Sequence, residues 1–126
     1  MTKNTTFIGT KGENAACEYL EALGYSISER NYRVKGGEID IVATDRAYTV
    51  FVEVKSRSGQ PHARFGRASA AVDRRKRLCF IHAAKEYLKA HPDVCKCRID
   101  VIEVYFPLGS ERAEVRHIKS AFGANG

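Results

Sequence analysis

Residues 38–56 constrain the fold most. Two runs, EIDIVAT (38–44) and TVFVEVKS (49–56), alternate in polarity and are rich in β-branched residues, with the short polar break DRAY between them. That pattern predicts an antiparallel hairpin. Strand side chains alternate between faces. Ile39, Ile41 and Ala43 are therefore expected on one face, with Glu38, Asp40 and Val42 on the other. On the second strand Val50, Val52 and Val54 oppose Phe51, Glu53 and Lys55. One face of the hairpin is thus wholly apolar, and the other mixes charge with Val42 and Phe51.

A turn centred between Arg46 and Ala47 sets Asp40 opposite Glu53, and Glu38 opposite Lys55. Cβ atoms so placed lie about 4.5–5.5 Å apart, and like charges directly opposite destabilise a sheet. Two close carboxylates resist joint ionisation unless a cation joins them. A divalent ion removes the repulsion, and oxygen ligands suit Mg²⁺. The plain alternative is an exposed face carrying a Glu38–Lys55 ion pair.

Around the hairpin, residues 11–23 read as a helix with Ala16, Tyr19, Leu20 and Leu23 on one stripe and Gly24 as its stop. Residues 25–34 read as a first strand. Residues 58–67 are turn-rich and read as a loop. Residues 68–90 read as a long helix with Val72, Cys79, Phe80, Ala83, Tyr87 and Leu88 inward, ended by His91-Pro92. Residues 98–106 and 113–119 read as two further strands. The order αβββαββ predicts an α/β fold, a mixed sheet covered by two helices, and 126 residues predict a single domain over 1–126. No apolar run approaches the roughly 20 residues that span a bilayer, and the start lacks the apolar core of a signal peptide. A cytoplasmic location without membrane contact is the expectation.

Two helix residues fall on inward lines despite their charge. Glu13 extends the apolar stripe of the first helix, where a helix N-terminus would favour an acid. Lys76 lies four residues from both Val72 and Phe80, where a lysine can snorkel past the core edge. Both also make sense if the helix ends flank the acidic face of the hairpin.

The charge is unevenly spread. Residues 54–77 hold eight bases, Lys55, Arg57, Arg64, Arg67, Arg74, Arg75, Lys76 and Arg77, against Asp73 alone. The rest of the chain has 13 bases and 14 acids, from totals of 21 and 15. The whole positive excess sits in one segment, the footprint of a polyanion binder, or else a solvated basic helix face. Cys95 and Cys97 form a lone CKC without the second pair that a zinc site uses, and Cys17 and Cys79 read as small buried residues. His62, His82, His91 and His117 have no metal-pair spacing. Tyr19, Tyr25, Tyr32 and Tyr87 read as core packing.

The chain also carries GxxGExxAxxYLxxxGY from Gly9 to Tyr25, Arg30-Asn31-Tyr32, Gly37-Glu38-Ile39-Asp40-Ile41 and Phe51-Val52-Glu53-Val54-Lys55-Ser56-Arg57. With FGRA from Phe65, RRKRL from Arg74, Arg98-Ile99-Asp100-Val101 and HIKSAF from His117, this set resembles the YraN-type bacterial proteins over nearly the whole chain. That family is largely uncharacterised and is similar to the PD-(D/E)xK nuclease superfamily, most of all to archaeal Holliday-junction resolvases.

The resemblance implies a restriction-endonuclease-like αβββαβ core with a metal-dependent site. It implies Asp40 and Glu53 as metal ligands together with the Val54 carbonyl, Lys55 as the catalytic lysine, and Glu13 as an additional acid contacting metal or water. Glu38 is a weaker candidate, and Ile39 stands where the superfamily pattern has proline. The expected activity is Mg²⁺- or Mn²⁺-dependent hydrolysis of DNA phosphodiesters, selective for branched or junction DNA. Arg57, Arg64, Arg67, Arg74, Arg75, Lys76 and Arg77 would neutralise neighbouring phosphates without reading bases. A homodimer and a DNA-processing partner protein are the assemblies it brings into view. The rival expectations are a non-catalytic nucleic-acid binder on the same fold and a regulatory protein whose basic patch meets an acidic partner.

Overall fold

The computed structural model describes residues 3–59 and 70–123, with side chains over 9–59 and 74–123. The elements follow the expected order: α1 (Lys3–Ala22), β1 (Ser26–Val34), β2 (Gly37–Asp45), β3 (Tyr48–Gly59), α2 (Ala70–Ala90), β4 (Lys96–Pro107) and β5 (Glu114–Phe122). They form one five-stranded sheet in the order β1-β2-β3-β4-β5. All neighbours are antiparallel except β3 and β4, which are parallel and joined through α2. No helix among the described residues is long and apolar enough to cross a membrane.

Each helix buries its apolar stripe on one face of the sheet. Ala16, Cys17 and Leu20 of α1 pack with Ile41, Ala43, Val50, Val52, Ile102 and Val104. Phe80, Ile81, Ala83, Ala84 and Tyr87 of α2 pack with Ile39, Val42, Phe51 and Ile99. The tyrosines pack as expected: Tyr25 and Tyr87 are buried, and the Tyr87 ring meets Tyr32 and Phe51 edge-on at 5.1 and 5.5 Å. Gly24 closes α1 with φ +99, and the Tyr25 amide returns to the Leu20 carbonyl at 3.0 Å, the αL ending that glycine favours.

The helices depart from expectation in three ways. α1 starts at Lys3 rather than at residue 11, because its first two turns, KNTTFIGT, carry no apolar period. Glu13 therefore sits in the helix interior, beyond reach of the N-terminal dipole, which fades within the first turn. On α2, Lys76 and Cys79 are exposed. The buried stripe is Phe80-Ala83-Ala84-Tyr87 with Ile81 beside it, and that stripe passes to one side of positions 76 and 79. The side chain of Val72 lies outside the described residues, as do residues 60–67 of the expected loop; β3 itself continues to Gly59.

A buried polar knot ties the end of α1 to β4 and β5. Asp100 is 0% exposed. It accepts hydrogen bonds from Arg98 Nε at 3.1 and 3.3 Å, from the Ser120 amide at 3.0 Å, and pairs with His117 Nε2 at 2.8 Å. His117 Nδ1 lies 3.1 Å from the Tyr19 hydroxyl, and Arg98 Nη2 donates to the Tyr25 hydroxyl at 2.7 Å. His117, which spacing alone left without a role, is a member of this knot.

α2 packs tightly on the sheet at Gly37. A Cβ there would collide with the Cys79 carbonyl and stand 3.2 Å from the Ala83 Cβ. A backbone carbonyl cannot rotate aside, so Gly37→Ala is expected to lower stability by about 1–3 kcal/mol, read as a shift in the urea midpoint. An unchanged midpoint would contradict this packing.

Candidate active site

The site forms where β2 and β3 part. Their ladder runs from Asp45–Tyr48 to Ile41–Val52, the register expected from a turn at Arg46-Ala47; Arg46 takes the left-handed turn conformation, φ +57. It stops there. The expected pairs Asp40–Glu53 and Glu38–Lys55 do not form. β3 pairs with β4 along its whole length, from Tyr48–Lys96 to Gly59–Pro107, so beyond Val52 its ladder continues on the β4 side.

Asp40 occupies the gap. Its Oδ2 accepts the Val54 amide at 2.7 Å, so a side chain takes the place of a strand partner. On the other side of β2 the pairing steps from Arg30–Ile41 to Tyr32–Ile39, passing over Asn31 and Asp40. Asn31 is left-handed there, φ +54, a conformation asparagine tolerates better than most residues. The chain turns over at this point. Ile39 joins the cluster under α2, whereas Ile41 and Ala43 join the one under α1, so the expected single apolar face of β2 is split at Asp40.

Four carboxylates share the site. Burial, the largest influence, pushes the Asp40 carboxyl up; the Val54 amide opposes it, and the charges of Glu13, Glu53 and Glu38 add to it. The result is a rise from 3.8 to about 7. Like charges and lost hydration act together here.

Glu13 reaches the site from α1. Asn31 Nδ2 donates to its Oε1 at 3.1 Å, and Arg30 Nη2 is 3.5 Å from the same oxygen, with the Glu13 side chain 17% exposed. The preceding Gly12 lets α1 press onto β3: a Cβ there would collide with the Ser56 hydroxyl and stand 2.9 Å from the Ser56 Cβ. Arg30 and Asn31 are the site residues that reading by period missed. Their signals were the Arg30-Asn31-Tyr32 run of the family pattern and an asparagine in mid-strand, suited to positive φ. Glu38 sits nearer the rim, paired with Arg33 Nε at 3.3 Å.

Lys55 follows Glu53 on the same face of β3, with the Val54 side chain turned to the α1 cluster and the Val54 amide already bound by Asp40. Among the described residues, no three carboxylate, histidine or cysteine side chains close into a ready ligand shell. Asp40, Glu53 and Glu13 nevertheless form an all-oxygen set, in which burial first and the neighbouring negative charges after it raise the proton affinity of Asp40. Such a set fits a hard divalent cation.

The basic residues are more dispersed. Arg57 is half-buried, Arg74, Arg75 and Lys76 are exposed, and Arg64 and Arg67 lie outside the described residues. Arg77 stacks its guanidinium 4.6 Å over the Phe122 ring. Contact between Cys79 and Gly37 brings the exposed bases of α2 to the end of β2 that carries Glu38 and Asp40. All four cysteines are free, and Cys79, Cys95 and Cys97 are exposed; for Cys79 this corrects the expected burial.

Comparison with known proteins finds one family model, uncharacterised protein family UPF0102, matching residues 12–104. A UPF0102 protein of Desulforamulus reducens is 44% identical over 117 residues, covering 90% of this chain and 93% of its own. One from Ralstonia pickettii is 41% identical over 123 residues, covering 96% and 94%. A Geobacter metallireducens relative is 39% identical over 123 residues, covering 97% of each chain.

Proposed function

This chain belongs to the uncharacterised protein family UPF0102, and we propose that it is a divalent-metal-dependent endonuclease of the PD-(D/E)xK type that hydrolyses DNA phosphodiesters, selective for branched or junction DNA. The observation that carries this reading is the Asp40 carboxyl, held at the parting of two strands by the Val54 amide and crowded by Glu13, Glu53 and Glu38.

Asp40, Glu53, the Val54 carbonyl and Glu13 would hold Mg²⁺ or Mn²⁺. Bound there, the ion supplies Lewis-acid polarisation of a phosphoryl oxygen and acidifies a water. The Lys55 ammonium donates to the phosphoryl oxygens as negative charge develops on them. Glu13, fixed by Asn31 and Arg30, accepts a hydrogen bond from the attacking water and orients it. Arg57, Arg74, Arg75 and Lys76 contact phosphates on either side of the cut. Such contacts set register without reading sequence, so substrate choice rests on DNA shape. A homodimer spanning two arms of a junction, or a DNA-processing partner, belongs to the same proposal.

The test is a panel of single-stranded, duplex, flap and four-way-junction DNA with Mg²⁺, Mn²⁺ or EDTA; metal-dependent cutting of branched forms is expected. Binding provides a second expected result. The affinity for a junction should fall linearly with salt on logarithmic axes, and Arg74→Ala and Arg75→Ala should each reduce that slope by about 1. Anisotropy titrations measure it. A salt-independent affinity would point instead to an acidic protein partner. One rival is a non-catalytic DNA binder on the same fold. That rival predicts the same salt slope without cutting under any metal.

A further inference from the structure

A row of charges crosses three strands beside the candidate lysine. β3 and β4 pair Lys55 with Glu103, and β4 and β5 pair Glu103 with Arg116. Paired residues in a ladder project from the same face. The order on that face is therefore cation, anion, cation, with Glu103 in the centre. Glu103 is well covered, its side chain 18% exposed, and Arg116 Nε stands 3.6 Å from its Oε1. That distance gives an ion pair and exceeds a hydrogen bond. Oε1 is buried and accepts no hydrogen bond. A buried carboxylate oxygen without a donor is costly, and its own strand neighbour carries an ammonium on a flexible stem that offers three donors.

We propose that Glu103 is a positioning residue for Lys55. Its carboxylate holds the ammonium on the Glu53 side of the face, and Arg116 steadies that carboxylate from β5. The functional part of this inference rests on the reading of Lys55 as the catalytic lysine; the contact itself does not. Glu103 touches neither substrate nor metal in this scheme. Its effect is to spare Lys55 the ordering that a free four-carbon side chain would undergo at each turnover.

The experiment compares wild type, Glu103→Gln and Glu103→Asp by two readouts. The first is single-turnover cleavage of a four-way junction at saturating protein, beside the junction Kd and the melting temperature. Glu103→Gln is expected to slow the cleavage step by about tenfold with Kd and melting temperature unchanged, and Glu103→Asp to recover most of the rate. The second is the Lys55 ammonium signal in a ¹⁵N NMR spectrum, identified by its loss in Lys55→Arg. It is expected to move and broaden in Glu103→Gln and to stay near its wild-type place in Glu103→Asp. If the wild type cuts no DNA but Glu103→Gln still moves the Lys55 signal, the positioning contact stands and the nuclease reading falls. If the Lys55 signal is the same in wild type and Glu103→Gln, the proposal is overturned, whatever the cleavage rates.

Discussion

Asp40→Asn is expected to melt at a higher temperature than the parent at pH 8 and to cut no DNA. The folded protein holds a proton on Asp40 up to about pH 7, whereas an unfolded chain releases it near pH 4. A raised folded pKa means that the fold binds this proton more tightly than the unfolded chain does. The fold therefore loses stability as pH rises through the window from about 4 to 7, and the loss is complete above it. At 1.36 kcal/mol per unit, the rise from 3.8 to about 7 amounts to about 4 kcal/mol.

Asparagine keeps an oxygen for the Val54 amide and removes the charge. Thermal melts across pH should show the gap between variant and parent widening from pH 4 to pH 7 and then levelling off. Mg²⁺ should raise the melting temperature of the parent at pH 8 and leave Asp40→Asn unmoved. Cleavage should fall by at least on the order of 10²–10³-fold. Equal melting of the two proteins at pH 8 would mean that the carboxylate is not strained.

Asp100→Ala is expected to cause the largest loss of stability. It would leave Arg98, 14% exposed, buried beside the emptied space, and would take the acceptor from His117 and the Ser120 amide. Breaking one partner of a buried charged pair costs about 3–5 kcal/mol, a large share of the stability of a single domain. The pH dependence runs opposite to that of Asp40. Burial alone would push the Asp100 carboxyl up, but hydrogen bonds from His117, the Ser120 amide and Arg98, with the Arg98 charge, outweigh it and hold the carboxyl below its ordinary value. Its contribution is present above the unfolded pKa near 4 and is lost as pH falls through the folded value. Urea unfolding at pH 7 measures the loss, and a change below about 1 kcal/mol would show that the knot is not needed to hold α1 on the sheet.

Much of this was legible in the sequence because it depends on local pattern. The strands β2 and β3, the break at Arg46-Ala47 and the stop at Gly24 rest on short-range signals and appear as expected, whereas the single apolar face of β2 is split at Asp40. The parting of β2 and β3 was not legible, because alternation carries no information about where a ladder ends. That point is set by Asn31 in positive φ on β1 and by the Asp40 side chain capturing the Val54 amide, two events on different strands. The apolar stripe marks Glu13, but its place in the helix interior is not legible, since eight weakly patterned residues extend α1 ahead of residue 11. Lys76 is exposed because the buried stripe of α2 passes to one side of it. The Asp100 knot draws on α1, on Tyr25 just after it, and on β4 and β5, and nothing in the local run RIDVIEV announces partners from so many places.

The most direct measurement is the initial rate of four-way-junction cleavage by the purified full chain with Mg²⁺, with EDTA, and with Asp40→Asn and Lys55→Ala in place of the parent. The account predicts cutting by the parent with Mg²⁺ and none in the other three reactions, with junction affinity retained by Lys55→Ala. Cutting that persists in Asp40→Asn, or a parent that binds the junction and leaves it intact with Mg²⁺ and with Mn²⁺, would contradict it.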